Sequence, residues 1–432
     1  MKKETPQEFL RRHNMYYEAM PFETLTDAYI DDIRRGLRGE ESTLYMLPSY
    51  LNITDAPRAG ESVLVLDAGG TNLRAGRVHF DDAGKPVVED IRKRRMPGTN
   101  GTAITADEMF RAIAELALPF AEGTKRACIA FSYACESLPN GDGRILGLGK
   151  EARVTGTTGR LVCEGIETAL RALGAKGERK WRLVNDTVGS LLGGMATCDR
   201  SRYDDYIGFI LGTGTNTCCL VPASSVTKSP ETAAMSGDTV VNLESGQFSR
   251  LLRGRVDLEI DAESELHNDH IAEKMISGAY YRVLFGKTLK LAAKEGIISS
   301  ESGANIEKLG YISSAMIDDF CVSPMGGCAI ADALVTEADR IFAEEINKML
   351  LERAAVIAAS CIHAIMRLRG FGADTCTAVC ADGTMLRLNP VLLPRMKELL
   401  AEYGARHGLG SVEFVFAGDA TLLGCAWAAL TD

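Results

Sequence analysis

A strand of Val and Leu, a turn of glycine and threonine, and a second strand occur twice in this chain, and that recurrence constrains the fold more than any other feature. The first copy is SVLVLDAGGTNLRAGRVHF at residues 62–80, and the second is DDYIGFILGTGTNTCCLV at residues 204–221. Each reads as a buried hairpin, because β-branched and apolar runs bounded by turn residues favour strands. Two such hairpins about 140 residues apart predict duplicated α/β halves rather than a short-period repeat array.

The remaining segments fit that plan. Residues 1–60 read as helical and amphipathic, punctuated by Pro21, Pro48 and Pro57. RACIAFSYAC is a buried strand followed by the turn-rich LPNGDGRILGLG, and GRLVCEGIETALRAL has helical period. RKWRLVNDTVGSLLGGMA runs from strand into helix, as does EFVFAGDATLLGCAWAAL at the end, while TAVCADGTMLRLNP reads as strand and turn. A long helix is predicted from Glu337 to Arg369, with Gly370 as its stop.

At 432 residues the chain is expected to form two domains, possibly three. Its net charge of −10 argues against non-specific binding to a nucleic-acid backbone. The basic run Arg92, Lys93, Arg94 and Arg95 is short and reads as a solvated strand or loop end. Twelve cysteines occur without Cys-x-x-Cys spacing, several in apolar segments where a thiol packs as a small hydrophobe. The N-terminal segment has no apolar core of a secretory signal, and no uninterrupted apolar run approaches a membrane span. A reducing, cytoplasmic setting without membrane or nucleic-acid partner is the expectation.

Chemistry concentrates in the turns. In LDAGGTNLRAG the adjacent Gly69 and Gly70 permit close approach of an anion and positive φ, and with the Thr71 hydroxyl their amides can cradle a phosphate. Asp67 at the strand end can hold Mg²⁺ through water. Taken alone, the segment is equally a tight hairpin; it contains neither a P-loop nor a dinucleotide fingerprint. LGTGTNTC repeats these qualities, and two such turns suit a clamp for phosphoryl transfer, where catalysis is mostly positioning and charge stabilisation. VNDTVGS places Asp186 at a strand-to-helix junction, either as a helix N-cap or as a general base for a substrate alcohol, with Asn185 beside it to orient that substrate. The cluster His267, Asp269 and His270, with Glu263, Glu265 and Glu273, has metal-ligand chemistry but reads better as the polar start of a helix.

Six segments together resemble the hexokinase family of the actin-like ATPase superfamily. LDAGGTNLR and GFILGTGTN look like its two phosphate motifs, FSYAC like its sugar-binding Phe-Ser segment, and LVNDTVGSLL like its catalytic-Asp segment. VNLESGQF resembles the Glu-Trp-Gly sugar contact, and AEKMISGAYYRVLF the Glu-Lys-Met-Ile-Ser-Gly helix. They occur in family order over roughly residues 60–285, with looser likeness beyond in LERAAVIAA and ADGTMLRLNP. The resemblance implies a two-lobed actin-like (ribonuclease H-like) α/β fold that closes over sugar. Its small lobe would hold residues 61–187 plus 419–432, and its large lobe residues 1–60 plus 188–418.

The implied activity is transfer of the γ-phosphate of MgATP to the 6-hydroxyl of a hexose, glucose foremost, with Asp186 as base. Ser132, Lys150, Asn185, Asn216, Glu244 and Glu273 are the implied sugar contacts. Asp67, Gly69, Gly70, Thr71, Asn72, Arg74, Gly212, Thr213 and Gly214 are the implied phosphate and Mg²⁺ residues, and Gly383, Thr384 and Gly418 lie towards the adenosine. The chain departs from the family at Ala134 for Pro, at Leu148-Gly149-Lys150 for Trp-Thr-Lys, at Ser245 for Trp, and at GDATLLGCAWAA for Gly-Ser-Gly-Lys-Gly-Ala-Ala. The first three bear on sugar preference and the last on the nucleotide. Rival readings are a repressor-like sugar kinase, whose typical Cys-rich zinc motif is missing here, a non-catalytic sugar sensor, and a chaperone-like or filament-forming ATPase. The length fits one hexokinase unit, and oligomeric state is not legible.

Overall fold

Both hairpins form, and each seeds its own sheet. The computed structural model describes residues 4–53, 57–148 and 152–431. In the first half, strand Val63–Ala68 pairs antiparallel with Asn72–Phe80, which pairs with Pro86–Arg95. Arg126–Phe131 and then Lys180–Val184 add in parallel on the other side. The second half repeats this with Asp205–Leu211, Thr215–Pro222 and Asp238–Asn242 as the meander, and with Cys376–Asp382 and Ser411–Val415 added in parallel. Numbered within each half, the strands lie in the same spatial order, third, second, first, fourth, fifth. The duplication read from the two turns is therefore present in strand order and direction.

The burial of these strands explains their sequences. Val63–Leu66 is closed on both faces, as expected of a strand covered by helices on both sides, and needs no alternation. The outer strand Pro86–Arg95 is largely exposed, which gives the basic run its solvated setting.

Two corrections concern local structure. Residues 1–60 are not helical throughout: Pro6–Arg12 and Phe22–Arg38 are helices, but Leu47–Asn52 is a sixth strand on the second sheet, antiparallel to Asp238–Asn242. Pro48 sits in this edge strand, the part of a sheet to which proline is mostly confined. Beyond Cys376–Asp382 the chain enters a short helix, Thr384–Leu388, rather than a plain turn.

The helix Glu337–Arg369 forms with the predicted bounds, started by Thr336, whose side chain accepts from the Asp339 N–H, and ended by Gly370 at φ 71°. By length and composition it is apolar enough to cross a membrane, but 89% of its most apolar window is buried inside the protein, the mark of a core helix. Around it gathers the large core that takes in Phe9, Tyr29, Phe248 and Phe285. All twelve cysteines are free, seven of them buried.

Each half ends in a helix after its fifth strand: Asp186–Thr197 and Ala420–Leu430. These equivalent helices cross against one another, the first lying on strands of the second sheet and the second on strands of the first. At the crossing, a Cβ on Gly193 would stand 1.9 Å from the Ala420 carbonyl oxygen, and one on Gly424 would stand 1.9 Å from that of Gly189. No side chain fits there, so the two backbones touch. A shared core of Val188, Leu191, Leu192, Leu422 and Trp427 joins strands of both sheets across this pair.

Candidate active site

Because the two helices start at the ends of equivalent strands, their N-termini bring residues from both halves together. The cap of Asp186–Thr197 is Asn185, whose side chain accepts from the Thr187 N–H at 2.9 Å. Asp186 therefore is not the cap. Its carboxylate is left free of that duty, half-buried at the first helical position and favoured as an anion by the helix dipole. It accepts from the Thr187 hydroxyl at 3.3 Å and from the Ser132 hydroxyl, which lies just past the fourth strand of the first sheet.

Burial is the largest influence on Asp186 and raises its pKa above the ordinary aspartate value; the Ser132 and Thr187 hydrogen bonds oppose this, and the charge of Asp382 adds to it. Asp67 is also raised, by burial first, against the pull of Arg74, and it feels both Asp186 and Asp382. Three carboxylates from three strand ends thus share one field. Asp382 was missed in the sequence, although an Asp closing a strand before Gly383-Thr384 mirrors the logic that singled out Asp67.

Three of the sugar candidates, Asn185, Asn216 and Glu244, form one connected array. Asn216 donates from Nδ2 toward Asn185 Oδ1 and Glu244 Oε1, each at 3.4 Å, while its Oδ1 accepts from the Thr217 and Ser245 N–H groups at 2.7 and 3.2 Å. Glu244 is held in the left-handed region, at φ 55° and ψ 52°, an uncommon conformation for a residue with a side chain. Asn242 fixes it there: its Nδ2 donates to Glu244 Oε1 at 2.6 Å and its Oδ1 accepts from the Glu244 N–H at 3.3 Å. Asn242 is the second residue that sequence reading overlooked.

Burial raises the pKa of Glu244, and the Asn242 hydrogen bond opposes that rise. Glu273 accepts from the Thr215 N–H at 3.1 Å, tying the second turn to the helix Ile271–Ile276. Its pKa is raised too, chiefly by burial. Ser245, where the family has Trp, finds a buried partner in the Thr217 hydroxyl at 2.9 Å. Lys150 lies outside the described residues.

In the first turn Gly70, Thr71 and Asn72 are exposed, and the Tyr133 hydroxyl donates toward the Gly69 and Gly70 carbonyls at 3.3 and 3.4 Å. Neither glycine adopts positive φ, so the conformational reason given for them does not apply. A Cβ on Gly70 would meet no protein atom within 4 Å. The room it keeps opens to solvent.

The second turn is different. A Cβ on Gly214 would stand 2.6 Å from Glu273 Oε2, so a side chain there would push the Glu273 carboxylate aside. Gly383, at φ 113°, would place a Cβ 2.2 Å from the Leu211 carbonyl oxygen, which presses the adenosine candidates Gly383 and Thr384 against Gly212. Gly418 is exposed beside Asp419.

Arg74 is clamped between carboxylates: Nε and Nη2 reach Asp67 Oδ2 at 2.8 and 2.6 Å, and Nη1 reaches Asp419 Oδ1 at 2.8 Å. A phosphate contact from Arg74 therefore competes with two acids. Among the described residues the His267–His270 segment groups no metal-ligand set; His270 turns into helix Ile271–Ile276 beside Gln247, as the helix-start reading anticipates.

This arrangement can bind a polyhydroxylated molecule through Asn216, Glu244 and Glu273, offer Asp186 as a base, and present two amide-rich turns to an anion. The oxygen-rich trio Asp67, Asp186 and Asp382 suits a hard cation, and the cramped Gly212–Gly383 junction beside exposed Thr213 and Thr384 suits a nucleotide.

Likeness to known proteins spans both halves of the chain. Two hexokinase family models match, one over residues 7–196 and the other over residues 206–431. Hexokinase-2 of Oryza sativa subsp. japonica is 26% identical over 434 residues, covering 93% of this chain and 86% of that one. Hexokinase-1 of Arabidopsis thaliana is 28% identical with the same coverage of both chains. Among solved structures, the glucose complex of hexokinase from Schistosoma mansoni superposes with a TM-score of 0.77 at 22% identity, over 98% of this chain and 99% of that one. The ROK hexokinase of Thermus thermophilus reaches 0.54 at 15% identity, over 85% and 97%. With its duplicated halves, its two glycine turns and family models matched across both, this chain is a member of the hexokinase family.

Proposed function

We propose that the protein is an ATP-dependent hexose kinase that transfers the γ-phosphoryl group of MgATP to the 6-hydroxyl of a hexose, glucose foremost. The observation that carries this reading is the position of Asp186, relieved of capping by Asn185, hydrogen-bonded by Ser132 and within electrostatic reach of both Glu244 and Asp67. Asn216, Glu244 and Glu273 orient the sugar, since carboxylates and amides bridge neighbouring hydroxyls and reject ligands that leave them unpaired. Asp186 removes the proton of the attacking hydroxyl, and its raised pKa makes it a better acceptor than an ordinary aspartate. Amides at Gly70 and Thr71 and at Thr213 hold the transferring and leaving phosphates from two sides, the Gly212 N–H being taken by the Gly214 carbonyl at 2.9 Å. Asp67, with Asp382 nearby, would hold Mg²⁺ through water, and the ion would supply neutralisation of the charge that develops on the phosphates.

The test is ADP release from MgATP over glucose, mannose, fructose, glucosamine, N-acetylated hexosamines and water, for wild type and Asp186→Ala. Sugar-dependent release is expected, and Asp186→Ala is expected to lower it about 10²–10⁴-fold while calorimetric sugar binding persists. Sugar binding without sugar-dependent release in the wild type would replace the kinase reading by a non-catalytic sensor. Sugar-independent ATP hydrolysis would replace it by an ATPase.

A further inference from the structure

On the second half, away from both glycine turns in the chain, three residues distant in sequence converge. Glu23 lies in the first turn of helix Phe22–Arg38, His363 in the long helix Glu337–Arg369, and His407 at the end of helix Leu392–Arg406. One ligand atom from each lies within 4.8 Å of the other two. His407 Nε2 stands 2.9 and 3.0 Å from the two Glu23 carboxylate oxygens.

His363 is the informative member. It is 0% exposed, and neither of its ring nitrogens has a hydrogen-bond partner. A buried imidazole left so is costly, and an unsatisfied polar group in a native core calls for a reason. Its ring lies 5.2 Å from that of His407 and 5.4 Å from that of Phe22, which stacks on Tyr403 at 3.9 Å. The aromatic wall shuts out water on one side and leaves the ring facing Glu23 and His407. With neither ring nitrogen hydrogen-bonded, the buried imidazole keeps a lone pair to offer a ligand.

We propose that Glu23, His363 and His407 form a binding site for a first-row divalent transition metal, Zn²⁺ foremost. Two imidazoles and a carboxylate are a zinc ligand set, and with His407 exposed and Glu23 half-exposed, water completes the tetrahedron from the solvent side. Imidazole ligands favour Zn²⁺, Ni²⁺ and Cu²⁺ over Mg²⁺, so the site is chemically separate from the Mg²⁺ expected with a nucleotide. The nearby cation is Arg367, 3.8 Å from Glu23 and 2.7 Å from Asp27; its bond to Asp27 keeps it occupied when the metal takes Glu23. A bound ion fastens the start of helix Phe22–Arg38, the core helix and the end of helix Leu392–Arg406 to one point.

The experiment uses the full chain freed of metal with chelator. ZnCl₂ is titrated by calorimetry and thermal unfolding is followed with and without ZnCl₂, with MgCl₂ as control. Wild type is expected to bind one Zn²⁺ at this site and to unfold at higher temperature with it, and MgCl₂ is expected to do neither. His407→Ala and Glu23→Gln alter partly exposed residues and are expected to weaken that binding by about 10–100-fold or more. Because the free cysteines are rival ligands, Co²⁺ is substituted, and its spectrum is expected to lack thiolate charge-transfer bands. Failure of wild type to bind Zn²⁺, unchanged affinity in both variants, or thiolate bands with Co²⁺ would each overturn the assignment.

Discussion

At the scale of single residues, function rests on side chains relieved of structural duty. Asn185 takes the capping role, which leaves Asp186 to face the Ser132 hydroxyl and the open side of the site. A base must be ionised to act, so turnover is expected to fall as pH drops through the raised pKa of Asp186, above the range of an ordinary aspartate. Ser132 holds that pKa down, hence Ser132→Ala is expected to move the acid limb of kcat/KM to higher pH; an unmoved limb would assign it to another group. The same raised pKa has a stability consequence of opposite sign. A carboxyl that is harder to ionise folded than unfolded contributes stability at low pH that is lost as pH rises through its folded pKa. Asp186→Asn is therefore expected to unfold at a higher temperature than wild type at neutral pH while losing turnover, as read by thermal melts beside the ADP assay.

Among elements, the sequence was most legible where one physical cause decided the outcome. The long helix could be bounded because an apolar face recurs along it and Gly370 marks its end, while the Thr336 cap emerged with the structure. The two hairpins could be read because glycine turns separate strongly apolar strands. Leu47–Asn52 was hidden: with Pro48 inside it and a polar pattern, only its pairing with Asp238–Asn242 makes it a strand, and that partner lies far along the chain. The site was legible in the same measure. Residues with an evident chemical role in the motifs, such as Asp67, Asp186 and Glu244, stood out; Asn242, inside VNLESGQF, acts on its near neighbour Glu244, and Asp419 acts through a contact with Arg74 that only the fold creates.

Such contacts also anchor elements. Arg353 of the long helix makes two 2.8 Å bonds to Asp257, both side chains essentially inaccessible, and Asp257 also accepts from the Gly254 N–H to start helix Arg255–Glu263. Asp257→Ala removes the cap and strands a buried guanidinium, so it is expected to cost about 3–5 kcal/mol in denaturant unfolding. A cost within 1 kcal/mol would mean that the pair adds little beyond what apolar residues supply there.

For the whole molecule, the helix that carries Asp186 belongs to the first half by chain and to the second by contact. Where it meets Ala420–Leu430, backbone lies on backbone at Gly189, Gly193 and Gly424. Gly193→Val is expected to force the pair apart, lowering kcat through displacement of Asp186 more than it raises KM, while far-ultraviolet circular dichroism stays that of a folded protein. An unchanged kcat would show that the crossing does not set the position of the base. This seam also restricts how the two copies can drift. A side chain gained on either helix is felt as a collision by the other, and the facing position is already glycine or backbone, with no bulk left to give up in compensation. Neither copy can change there on its own account, so divergence between the halves is pushed outward into turns, edge strands and sugar-facing loops, where one copy can acquire a new specificity without its twin.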